Sequence, residues 1–115
     1  MKILNISLIF ICFLSNILWA DDSIDSLKSK LQTASGKEKV KVLNTLAKAY
    51  LEISPKKSIK YAETVLRLAK DERDKAEALN NIGEGYKYLS DYDRALEYYL
   101  KSLKIQEKTD NEKGI

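Results

Sequence analysis

The side chains that run most nucleophilic and metal-dependent chemistry are scarce in this sequence. It holds no histidine, and its single cysteine, Cys12, lies inside an apolar N-terminal run. The common nucleophile and base pairs and the usual zinc ligands are therefore absent. Carboxylate pairs such as Asp91 and Asp93 remain. Two carboxylates can divide acid and base work or hold a hard cation, but these two fall at an expected helix start, where the dipole favours acidic groups. The expectation is a protein that is no enzyme and uses neither cofactor nor metal. The side chains left to act are amides, charges and phenols, which bind rather than react.

Composition narrows what they would bind. Of 115 residues, 44% are hydrophobic and 32% charged, the balance of one small, well-packed helical domain. Lys and Arg total 20 against 17 acidic residues, and the signs alternate along the chain, so the net +3 forms no basic stripe. Nucleic acid is not an expected partner.

The first twenty residues differ in kind. Met1-Lys2 is a short basic start, Ile3 to Trp19 is largely apolar, and Ala20 precedes Asp21-Asp22. This is the layout of a secretory signal peptide over residues 1–20, which predicts an exported, periplasmic or extracellular protein. The competing reading is an uncleaved membrane anchor over residues 3–20, the one case in which a membrane would be a partner. Cleavage removes the only cysteine, so stability would rest on packing alone.

The elements that must position the polar side chains are helices throughout. Ile24, Leu27 and Leu31 mark a short first stripe that ends near Ser35-Gly36. Val40, Leu43, Leu46, Ala47, Tyr50 and Leu51 form a second, which Ser54-Pro55 breaks while capping a third helix. Ile59, Ala62, Leu66 and Ala69 carry the third, and Ala76 to Leu89 make the fourth. Ser90-Asp91 repeats the capping chemistry before a fifth, whose inner face is expected to hold Ala95, Leu96, Tyr99, Leu100, Leu103 and Ile105. Short joints force neighbouring helices antiparallel.

An internal echo organises these helices. Leu43, Leu46, Ala47 and Tyr50 sit 36 residues before Leu79, Ile82, Gly83 and Tyr86. In the second helix of each unit the offset becomes 37, pairing Ser58 with Ala95, Ala62 with Tyr99 and Leu66 with Leu103, as if one residue entered the turn. Gly83 costs a helix about 1 kcal/mol relative to Ala, so it calls for a close crossing; Gly85 offers no such reason in the sequence.

These residues resemble the tetratricopeptide repeat family, whose pattern runs large-x2-Leu-Gly-x2-Tyr, then Ala-x3-Phe, then Pro. Leu79, Ile82, Gly83, Tyr86, Ala95 and Tyr99 supply it in order, with Ser102 at a usual Ala and Glu107 near the usual Pro. The first unit matches at Leu43, Leu46, Ala47 and Tyr50, but Ser58 and Ala62 replace the Ala and the aromatic, so looser packing is expected there. The resemblance implies an all-α solenoid of antiparallel helical hairpins after the signal peptide: a capping helix or half-repeat at 22–35, units at 38–70 and 72–107, and a lead-in to a truncated further repeat at 108–115. Tyr88, Tyr92, Tyr98 and Tyr99 are expected to serve packing between helices and repeats.

In that family the first helix of each unit lines the concave face and binds a protein or peptide. The residues this assigns are Lys41, Asn44 and Lys48 in the first unit and Glu77, Asn80, Asn81, Glu84, Lys87 and Tyr88 in the second. Asn44 and Asn80 are equivalent by the 36-residue offset and would read a peptide backbone; bonding to a neighbouring helix or to water is the competing role. Lys48 corresponds to Glu84, so a two-lysine clamp for a terminal carboxylate is not expected, and a peptide of mixed charge fits better than an acidic tail. The wording of the repeat is also similar to exported regions of bacterial signalling proteins, which implies a sensory N-terminal part. A structural, self-associating scaffold, or an accessory domain of a cell-envelope enzyme, stands as the alternative.

Overall fold

An acceptor side chain just before the second helix of each hairpin, joined in the first by a proline at the first helical position, fixes where the hairpins turn. The computed structural model describes residues 24–112; the signal-peptide reading and residues 113–115 of the lead-in lie outside these. The described residues form α1 (24–33), α2 (Gly36–Tyr50), α3 (Pro55–Leu68), α4 (Glu72–Tyr88) and α5 (Tyr92–Glu112), with no strand among them. Ser54 accepts from the Lys57 amide ahead of Pro55, and Asp71 accepts from the Arg73 amide at 2.8 Å. These side chains satisfy amides that have no partner inside the helix.

The turn after α4 divides the work between two residues. Ser90 adopts φ +62°, its N–H donating to the Lys87 carbonyl while the Asp91 N–H reaches back to Tyr86. This closes α4 with a left-handed residue, a place usually given to glycine. Asp91 alone caps α5, accepting from the Arg94 amide at 3.2 Å, so only half of the Ser90-Asp91 pair caps as Ser54 does.

The helices stack in chain order. Ile24, Leu27 and Leu31 of α1 pack on Val42, Leu46 and Tyr50 of α2, and a second cluster joins Val40, Leu43 and Ala47 to Ile59, Ala62 and Val65 of α3 and to Ala78 and Ile82 of α4. The last helix is placed differently: the α5 backbone approaches α4 and comes close to neither α2 nor α3. Consequently its inner face is narrower than expected. Ala95 and Ser102 are buried and Tyr99 and Ile105 half-buried, but Leu96, Leu100 and Leu103 stay about half exposed, because no further helix covers their side of α5 among the described residues. The helix also runs unbroken through Glu112, so the unit boundary at 107 falls inside it.

Candidate partner-binding face

Each hairpin closes around a different pair of small residues. A Cβ placed on Gly83 would lie 2.8 Å from the Tyr99 ring and 3.2 Å from the Ala95 carbonyl oxygen, so only glycine lets α4 and α5 meet there. In the first hairpin Ala47 and Ala62 are fully buried, and the Ser58 hydroxyl donates to the Ala47 carbonyl at 2.5 Å. The amide that would normally occupy that carbonyl, from Leu51, bonds Lys48 instead, so Ser58 satisfies a helix-end acceptor. The looser packing expected of the first unit is not what forms, since Ser58 and Val65 are also fully buried. Ser102 also donates to a backbone carbonyl, that of Ala76 inside α4, at 2.7 Å.

Gly85 acquires a reason as well. A Cβ there would stand 2.5 Å from Ile59 Cγ1, so this glycine admits the side chain of α3 and sets how closely the second hairpin docks on the first. Tyr50 stacks on Tyr61 at 5.5 Å and Tyr86 on Tyr98 at 5.6 Å, and the two stacks are related by the same offsets as the hairpins. Lys57 and Arg94, also 37 apart, cover Tyr50 and Tyr86. The sequence carried this signal in Tyr61 and Lys57, which the family pattern does not single out. Among the other tyrosines, Tyr98 and Tyr99 pack as expected, whereas Tyr88 and Tyr92 are exposed rather than buried between helices.

The nine candidate residues separate into two groups. Lys41, Lys48, Asn80, Lys87 and Tyr88 are exposed, and Glu77 and Glu84 are half-buried. Asn44 and Asn81 are buried and bonded to each other, Asn81 Nδ2 donating to Asn44 Oδ1 at 3.2 Å, so they join α2 to α4 and do not face a partner. The equivalence of Asn44 with Asn80 therefore misled. Neighbouring copies of one helix touch through different faces, so the residue that meets Asn44 lies 37 positions on, at Asn81.

The exposed stripes of α2 and α4 lie side by side and are tied across the gap. Lys48 Nζ sits 2.7 Å from a Glu77 carboxylate oxygen, and the Tyr88 hydroxyl donates to Glu52 at 3.4 Å. Glu52, a residue the family pattern does not point to, occupies the Tyr88 position by the 36-residue offset. Glu84 accepts from the Tyr99 hydroxyl. Burial, and then this bond to a carboxylate, push the Tyr99 phenol above its ordinary range. Lys41 lines a groove of about 530 Å³ with Leu27, Lys30, Lys37 and Thr45, and Asn80 and Glu77 line one of about 400 Å³ with Ala76, Gln106 and Thr109. Asp91 and Asp93, the acidic pair, start α5: Asp91 is its cap, with Arg94 3.5 Å away, and Asp93 is exposed in the first turn.

Comparison with known proteins agrees with this architecture. A family model described as tetratricopeptide repeat matches residues 40–108, which takes in both hairpins and the Gly83 and Gly85 crossings. No curated protein matches the chain. Repeats of this kind typically serve as protein-interaction modules, and with more than half of its length matched, the chain belongs to the tetratricopeptide repeat family.

Proposed function

We propose that the chain is a non-catalytic, exported module that binds a peptide or protein across the exposed stripes of α2 and α4, as the sensory N-terminal part of a bacterial signalling protein. The observation that carries the binding reading is the pair of stripes themselves. Lys41, Lys48, Asn80 and Lys87 point away from the core on two adjoining helices held in register by the Lys48–Glu77 pair. Cations and amides spaced by single helix turns can meet the carboxylates and backbone of an extended peptide of mixed charge. Export rests on the apolar run before Ala20.

Peptides selected from a random library against the full chain test the binding face. Lys41→Glu with Asn80→Ala should weaken their capture by at least about tenfold while leaving the melting temperature in place. Equal affinity for both proteins would reject the face. For export, mass spectrometry of the mature protein should find Asp21 at its N-terminus; a start at Met1 in the cytosol contradicts it.

A further inference from the structure

The two tyrosine stacks hold equivalent places in the hairpins, but only one of them has its cations neutralised. Arg94 covers Tyr86 with Asp91 3.5 Å away, and Lys101 lies 4.8 Å from the Tyr98 ring centre with Glu97 at 3.2 Å. Stepping back by 37 residues puts Ser54 at the place of Asp91 and Lys60 at the place of Glu97, so the first hairpin lacks both acids.

Cations gather there instead. Lys28 of α1 and Lys57 of α3 bring their Nζ atoms to 5.5 and 5.4 Å from the same Tyr50 ring centre. Lys60, one turn on from Lys57, lines a cavity of about 320 Å³ with both of them, and Tyr50, Tyr61 and Thr64 form its other walls. Thr64 Oγ1 accepts from Arg67 Nη2 at 3.2 Å, so a guanidinium flanks the cavity. All three lysines are exposed, and none forms an ion pair among the described residues. Asp25 and Glu63, the acidic residues of α1 and α3, form none either, and Glu52 in the following turn is engaged by the Tyr88 hydroxyl. Charges alternate along the chain, and only folding brings position 28 to 57 and 60.

We propose that this cavity between α1 and α3 is a binding site for a phosphate monoester carried on a small organic body. Like charges drawn to one cavity repel each other unless an anion joins them. Ammonium groups from α1 and from two successive turns of α3 approach from different directions, which suits the three terminal oxygens and near-double charge of a phosphate monoester. A carboxylate has two oxygens in one plane and leaves one of these donors unmet. The cavity is larger than a phosphate group, and the half-buried Tyr61 ring gives the attached body an apolar wall. None of these residues belongs to the peptide face of α2 and α4, so either site can fail without the other.

Phenyl phosphate, titrated at constant ionic strength into the isotopically labelled full chain, should shift the amide signals of Lys57, Lys60, Tyr61 and Thr64 saturably. Benzoate should bind at least about tenfold more weakly. Lys60→Glu, which copies Glu97 into the first hairpin, should weaken phenyl phosphate binding by at least about tenfold, while Lys104→Glu on α5, an equal change in net charge, should leave it in place. Vesicles of phosphatidylcholine with phosphatidic acid separate the sources of the phosphate: displacement of phenyl phosphate assigns the site to a lipid headgroup, and no displacement assigns it to a soluble ester. No saturable shift into the millimolar range, equal binding of benzoate, unaltered binding by the Lys60→Glu chain, or equal weakening by Lys60→Glu and Lys104→Glu overturns the proposal.

Discussion

The first hairpin joins α2 to α3 through Ala47, Ser58 and Ala62, and the second joins α4 to α5 through Gly83, Ala95 and Tyr99. Both bring two helices together, by distributing volume differently. Where the first uses small residues on both sides and a hydroxyl bond, the second removes a side chain from one helix and lays a ring from the other into the space. A position that departs from the family pattern is thus part of a second solution rather than a weaker copy, provided its partner departs with it.

That comparison can be broken most forcefully where the hairpins meet each other. Gly85→Leu drives a side chain into Ile59 and should cost about 3 kcal/mol, read as a lower urea midpoint. A midpoint that stays in place would mean that α3 and α4 do not cross at Gly85. Next in size is the exchange at Gly83. Gly83→Ala should destabilise by about 2 kcal/mol through its clash with Tyr99, yet in a Tyr99→Ala background the same change should become slightly stabilising, because helix propensity of about 1 kcal/mol is then opposed only by the 3.2 Å approach to the Ala95 carbonyl oxygen. A change of sign establishes that ring and glycine are one unit; the same cost in both backgrounds would separate them.

Smaller effects sharpen the contrast. Ser58→Ala copies the second hairpin's Ala95 into the first, where it should cost about 1 kcal/mol because the buried Ala47 carbonyl loses its donor. Ala95→Ser in the second hairpin offers no equivalent gain. Ser90→Gly should raise stability by about 1 kcal/mol by relieving the left-handed conformation that closes α4. Tyr99→Phe bears on alkaline stability. The phenol is neutral in the fold with its pKa raised, so its contribution is complete below the unfolded value of about 10 and declines as pH climbs from there toward the folded value. The variant should lose less stability than the natural chain as pH rises above that point, measured by chemical denaturation.

Much of this architecture is legible in the sequence because helix periodicity and capping are local. Leu43, Leu46, Ala47 and Tyr50 announce a buried face, and Ser54-Pro55 announces a turn, whatever lies nearby. Contacts between repeats are not local. An offset of 36 identifies Asn80 as the counterpart of Asn44, but counterparts share an environment only when both are flanked alike, and α4 covers Asn44 while Asn80 is exposed. The spacing of Leu96, Leu100 and Leu103 points them inward, yet they stay half exposed for the same reason: amphipathic spacing marks a face without naming what covers it. Gly85 was opaque because its partner, Ile59, lies 26 residues away in a different hairpin.

The central claim is that a peptide lies across α2 and α4, and amide shift mapping tests it most directly. Titrating a library-selected peptide into the isotopically labelled full chain should perturb the signals of Lys41, Lys48, Asn80 and Lys87, with little change in the outward residues of α3, such as Lys60 and Glu63. Perturbations confined to α3, with the α2 and α4 stripes silent, would contradict it.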